Sequence, residues 1–167
     1  MKAKTWTAGL VAAGVVFVGG AALKAAFSPR SQPMPFSHKK HVGMGIACES
    51  CHIGVTNQDR ATIPETQVCA LCHGRGKDGP KTPPELAAYI KENKPIPWRT
   101  VYRLPGHVHF SHMRHVAMGG LDCRSCHGDM AQMEEPLSDQ PVPLRMTRCL
   151  SCHWKEKVST DCLACHR

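Results

Sequence analysis

Aromatic side chains make up only 5% of the 167 residues, while 13 prolines and 14 glycines interrupt the chain throughout. So few large rings and so many chain breakers exclude a large hydrocarbon core and argue for sparse secondary structure. No strand–helix–strand setting of the kind a thioredoxin-like redox pair occupies is visible. Acidic residues are missing altogether from the first thirty positions, which hold Lys2, Lys4, Lys24 and Arg30. Those four account for half of the formal charge of +8, leaving an excess of four over residues 31–167. A nucleic-acid footprint is a poor reading of so modest and scattered an excess.

Cysteine, by contrast, is abundant, and its spacing is strict. All ten fall into Cys-x-x-Cys pairs: Cys48/Cys51, Cys69/Cys72, Cys123/Cys126, Cys149/Cys152 and Cys162/Cys165. Each pair is followed at once by a histidine: His52, His73, His127, His153 and His166. Zinc ribbons join such pairs two by two, so five pairs leave one over, and zinc gives no reason for a histidine after each. A disulfide framework leaves the histidines equally unexplained. Cys-x-x-Cys-His is the attachment signature of c-type haem. Two thiols three residues apart add across the two vinyl groups of one porphyrin, and the adjacent imidazole reaches the iron. Five covalently attached haem c groups are therefore expected, and their ten propionates give the basic excess a use as counterions.

The opening, Met1 to Arg30, reads as a membrane segment. Nineteen uncharged residues run from Thr5 to Leu23 between Lys4 and Lys24. As a helix they span about 28 Å, close to the hydrocarbon thickness of a bilayer. Gly20-Ala21-Ala22 is an alternative cleavage site, but no strict Ala-x-Ala is present and the run exceeds a usual signal core. Residues 1–29 are expected to be an uncleaved signal-anchor transmembrane helix. Because haem attachment occurs outside the cytoplasmic membrane, the haem-bearing part is expected on the periplasmic side.

After the anchor the chain repeats itself. "FSHKKHV" at Phe36 returns as "FSHMRHV" at Phe110, each followed by a Cys-x-x-Cys-His site and then by a second one. The divisions expected are a two-haem module over 30–81, a helix and linker over 82–106, and a three-haem module over 107–167. In the linker, Thr82 and Glu85 suggest a capping box, with Leu86, Tyr89 and Ile90 on one face of a short helix that would pack one module on the other. With about 27 residues per porphyrin, the haems themselves must form most of the core. The fold class expected is a multihaem cytochrome c: short α-helices around a haem core, little regular secondary structure, and one N-terminal transmembrane helix.

Each attached haem has one axial position filled by its own motif and one left open. Electron transfer favours two axial ligands, since a six-coordinate low-spin iron changes its bond lengths little between redox states. In Phe-Ser-His-x-x-His the two imidazoles lie three apart, on nearly one face of a helical turn. They cannot serve opposite sides of one iron, but they suit two adjacent ones. His38 is thus assigned to the haem of Cys48/Cys51 and His41 to that of Cys69/Cys72. Likewise, His112 is assigned to the haem of Cys123/Cys126 and His115 to that of Cys149/Cys152. The haem of Cys162/Cys165 has no such partner. Met146, three residues before Cys149, is a candidate, a thioether being a sixth ligand that raises the potential. His107, His109 and Met133 compete with it.

The two-histidine phrase followed by Cys-x-x-Cys-His resembles the class III multihaem cytochromes. The stretches "KPIPWRTVYRLPGHVHFSHMRHV", "CRSCHGDMAQM" and "LRMTRCLSCH" are similar to the pentahaem cytochrome subunit of alternative complex III, a quinol-oxidising respiratory complex. The likeness extends to the anchor and the haem count. It implies mostly bis-histidine haems with one His/Met haem, although His107 and His109 stand where non-ligating residues are expected, and the chain is short for that subunit. It also implies partners: integral membrane quinol-oxidising subunits, an iron–sulfur subunit, and as acceptor a periplasmic monohaem cytochrome, a copper protein or a terminal oxidase. The function expected is a membrane-anchored electron relay in which no residue acts as an acid–base catalyst. The alternative is a free-standing anchored quinol dehydrogenase feeding a periplasmic reductase.

Overall fold

A computed structural model of the chain describes residues 31–166, which belong to a single unit spanning residues 31–167. The anchor expected over residues 1–29 lies outside the described residues; among those described, no helix is long and apolar enough to cross a membrane. Among the described residues, seven short α-helices alternate with loops: α1 (His38–Gly43), α2 (Cys48–Cys51), α3 (Thr66–His73), α4 (Pro84–Glu92), α5 (Arg124–His127), α6 (Met146–Lys155) and α7 (Cys162–Cys165). Residues Arg114–Met118 form a wider, π-type turn where the repeat has α1 in its first copy. Among the described residues, β pairing is limited to one antiparallel bridge between Val108 and His166.

Each attachment motif sits on a helix or helical turn, which places its two sulfurs three residues apart on one face. The turns are set by local chemistry. Ser37 caps α1 by accepting from the Lys40 amide at 3.3 Å, and Asp161 caps α7 by accepting from the Leu163 amide at 3.0 Å. Pro84 opens α4, where its missing N–H costs nothing, and Asn93 closes it in the left-handed region at φ 48°.

The α4 helix forms as the linker pattern predicts, but without its capping box. Pro83, which has no side-chain acceptor, occupies the cap position, one residue past Thr82, whose hydroxyl donates to the His73 carbonyl at 2.6 Å. Its expected apolar face is the buried one: Leu86 is 5% exposed and forms a small cluster with Met34 and Ile96, flanked by Tyr89, Ile90 and Trp98. This face packs on α3 within the first module, not across to the second as expected.

Met34, Leu86 and Ile96 are the only buried apolar side chains among the described residues. Three such residues cannot offset the conformational entropy of ordering a chain of this length. The most buried side chain is polar. Thr66, 2% exposed, donates its hydroxyl to the Lys94 carbonyl at 2.6 Å and accepts from the Ile96 amide at 3.2 Å, tying α3 to the loop after α4. Thr66→Val keeps the shape but leaves both backbone groups unpaired. A destabilisation of about 1–3 kcal/mol is expected, read as a lower midpoint of thermal unfolding in the haem-loaded protein at unchanged haem content.

The two modules hold each other by reciprocal bonds. The Lys39 amide, beside His38, donates to the Met133 carbonyl at 3.0 Å. Its counterpart in the repeat, the Met113 amide beside His112, donates to the Gln58 carbonyl at 3.0 Å. Met133 lies six residues past His127, and Gln58 six past His52. Each module thus sets its histidine turn against the loop that follows the first attachment site of the other. Gly54 begins that loop in module one at φ 90°, and a Cβ there would meet the Arg60 carbonyl and the Gln58 side chain at 3.1 Å.

Candidate haem-binding centres

The sequence places a histidine beside every cysteine pair; the fold decides what each faces. His38 stacks parallel to His52, with ring centroids 6.4 Å apart and planes 10° from parallel. His112 faces His127 at 6.3 Å and 5°. His41 and His73 lie 6.4 Å apart, and His115 and His153 lie 6.1 Å apart. These are the four pairings expected from the spacing, brought together in space. An imidazole–metal bond is about 2.0 Å, so two imidazoles on opposite sides of one metal have centroids roughly 6.3 Å apart. Direct stacking would bring them much closer. The residues therefore fit a metal held from both sides. Among the described residues, no three His, Cys, Asp or Glu side chains converge as they would on zinc, and none of the ten cysteines is in a disulfide. Facing imidazole pairs in a chain whose thiols are paired three residues apart are a donor set that would suit haem c.

The phrase Phe-Ser-His-x-x-His now has a physical account. Phe36 meets His38 edge-on at 4.9 Å and stacks on His41 at 4.6 Å; Phe110 does the same to His112 and His115 at 4.9 and 4.4 Å. The Ser37 carbonyl accepts from His41 Nδ1, and the Ser111 carbonyl from His115 Nδ1, both at 2.8 Å. His52 Nδ1 donates to the Thr62 carbonyl at 2.9 Å, His112 Nδ1 to the Asp59 carbonyl at 3.0 Å and His153 Nδ1 to the Ser159 carbonyl at 2.6 Å. Each bond fixes the ring orientation and leaves Nε2 free for a metal. His38 Nδ1 and His73 Nδ1 are buried without a partner. The phenyl clamps and the carbonyl acceptors were missed in the sequence reading; the repeated Phe-Ser ahead of both histidine pairs was their only signal.

Electrostatics support the ligating forms. Burial lowers the pKa of His38, His73 and His127, with neighbouring histidines adding to the shift, so these rings stay neutral as metal ligands must be. The thiols, before attachment, report which sites are neighbours. Burial raises the Cys51 thiol, and Cys72 raises it further. Burial and then Cys48 raise Cys123. Cys126 is raised by burial, lowered by Arg148, and raised again by Cys149 and Cys152. Burial and then Cys165 raise Cys149. The attachment sites consequently form a file that departs from chain order: Cys69/Cys72, Cys48/Cys51, Cys123/Cys126, Cys149/Cys152, Cys162/Cys165. The Cys48–Cys123 approach joins the first site of one copy of the repeat to the first site of the other.

Of the candidates for the fifth site, Met146 begins α6 and is 58% exposed. Met133 is bonded to Lys39, beside the first site. His107 lies with its ring centroid 5.5 Å from that of His166, the planes 24° from parallel. The His109 amide donates to the Cys165 carbonyl at 2.8 Å.

Comparison with known proteins agrees with this donor set. Residues 108–167 match the family model described as cytochrome c7 and related cytochrome c. Over 185 aligned positions the chain is 31% identical to the multihaem cytochrome c subunit of menaquinone reductase from Nitratidesulfovibrio vulgaris, covering 95% of this chain and 87% of that one. With its haem-type donor set and this likeness along nearly its whole length, the chain belongs to the multihaem cytochrome c family.

Proposed function

We propose that the protein is a five-haem electron relay, anchored in the cytoplasmic membrane by its N-terminal segment, with its haem-binding part on the periplasmic side. It serves a membrane quinone oxidoreductase. Its cysteine pairs hold the haems by thioether bonds, and the motif histidines with His38, His41, His112 and His115 supply axial ligands. When bound, haem c supplies reversible one-electron chemistry. The chain's own part is to bring the sites side by side, to favour the neutral form of His38, His73 and His127, and to clamp the rings so that ligation is the same in both redox states. The observation that carries the reading is the set of four histidine pairs at trans-ligand spacing along that file.

The partners are integral membrane subunits that bind the quinone, together with a redox partner outside the membrane. The resemblance to the alternative complex III subunit has electrons leaving a quinol, through an iron–sulfur subunit, for a monohaem cytochrome, copper protein or oxidase. The relative's name, menaquinone reductase, favours the opposite direction, with electrons entering the quinone pool. A file of this kind conducts either way, and its potentials choose.

Affinity purification through a tag on this chain, from native membranes, tests the assignment. Five haems per chain by pyridine haemochrome are expected, with large integral membrane subunits co-purifying and haem absorbance responding to added menaquinol or menaquinone. Two or fewer haems overturns the attachment reading. A chain purified alone overturns the complex and leaves the free-standing alternative.

A further inference from the structure

We propose that His107 is the second axial ligand of the haem on Cys162/Cys165, opposite His166, so that all five irons are held by two histidines. The inference rests on the haem-binding reading but not on the quinone partner.

Three observations converge on it. The His107 ring faces that of His166, as the other four partner rings face theirs. The segment carrying it is pinned to the fifth motif by backbone: Val108 bridges His166, and the His109 amide donates to the Cys165 carbonyl. The third is how the alternatives are placed. Met133 is tied to Lys39 in the other module, and Met146 opens the helix whose own histidine, His153, faces His115. The separation of 5.5 Å is 0.6 Å less than the tightest of the other pairs. Gly106 and His107 both lie on the exposed surface of the loop. The Val108 amide, bonded to the Pro105 carbonyl at 2.9 Å, closes the turn that delivers the ring.

The chemical consequence concerns potential. A thioether ligand raises the potential of a haem relative to a second imidazole. With His107 in place, the terminal site of the file has the same donors as the rest and lacks that high-potential end. Such an endpoint suits exchange with a low-potential partner, the condition under which electrons run toward menaquinone.

Two variants of the full haem-loaded protein separate the candidates. His107→Ala should retain five haems by pyridine haemochrome while one of the five becomes high-spin and binds carbon monoxide on reduction. Met146→Leu should leave every haem low-spin and closed to carbon monoxide. The ferric parent protein, which needs no variant to fold, should lack the near-infrared charge-transfer band of a thioether-bound haem. The proposal is overturned if that band is present, if Met146→Leu opens a site, or if His107→Ala leaves all five haems six-coordinate. Fewer than five haems in the parent would instead count against the attachment reading, so the two failures are distinct.

Discussion

Replacing Cys48 and Cys51 with alanine should strand one of the four remaining haems. When a reductant delivers electrons at the Cys162/Cys165 end, three haems should reduce together and the fourth, on Cys69/Cys72, should lag by several orders of magnitude in rate. The reason lies in the file. The Cys48/Cys51 site has the Cys69/Cys72 site on one side and the Cys123/Cys126 site on the other, since Cys51 has Cys72 beside it and Cys48 has Cys123 beside it. Removing it opens a gap in the middle, although in chain order it is the first site and would be an end. Alanine at Cys162 and Cys165 removes a true end, and the four haems left should then reduce as one connected set. Stopped-flow absorbance on the two double variants checks this. A single reduction phase in the Cys48/Cys51 variant would show that the order of sites is wrong.

The second large effect concerns the fold itself. Made without its haem-attachment machinery, the chain from residue 31 onward should show no cooperative unfolding transition and little helical circular dichroism. The longest α-helix among the described residues, α6, has ten residues, and isolated helices below about 12–15 residues are marginal in water. Tertiary packing would have to hold such helices, yet only three apolar side chains are buried among the described residues, all in one corner beside α3 and α4. The rest of the molecule has its apolar side chains on the surface of the polypeptide: Leu71 is 74% exposed and Leu163 72%, each inside an attachment motif. In the proposed five-haem reading, porphyrins would cover those faces. A sharp thermal transition in the unattached chain would refute this account and restore a protein-only core.

Much of the site was legible because its chemistry is local. A Cys-x-x-Cys-His motif needs one helical turn, and Phe-Ser-His-x-x-His needs another, so both sets of residues could be named from spacing. The pairing of His38 with His52 and of His41 with His73 follows from the same geometry. What escaped was set at long range. The bridge that brings Val108 to His166 joins positions 58 residues apart, and nothing in the sequence around His107 announces it. The file order was hidden because the repeat meets its copy through the first site of each module, which reverses the first module relative to the chain. The capping box at Thr82 failed for a related reason. The helix begins at Pro84 with Pro83 as its cap, one residue beyond the register the box needs, and the Thr82 hydroxyl reaches the His73 carbonyl at the end of a different helix.

The exchange of bonds between Lys39 and Met133 and between Met113 and Gln58 also bears on dissection of the chain. A protein cut down to either copy of the repeat would lose the carbonyl that holds its own histidine turn, so neither copy stands as a self-sufficient half.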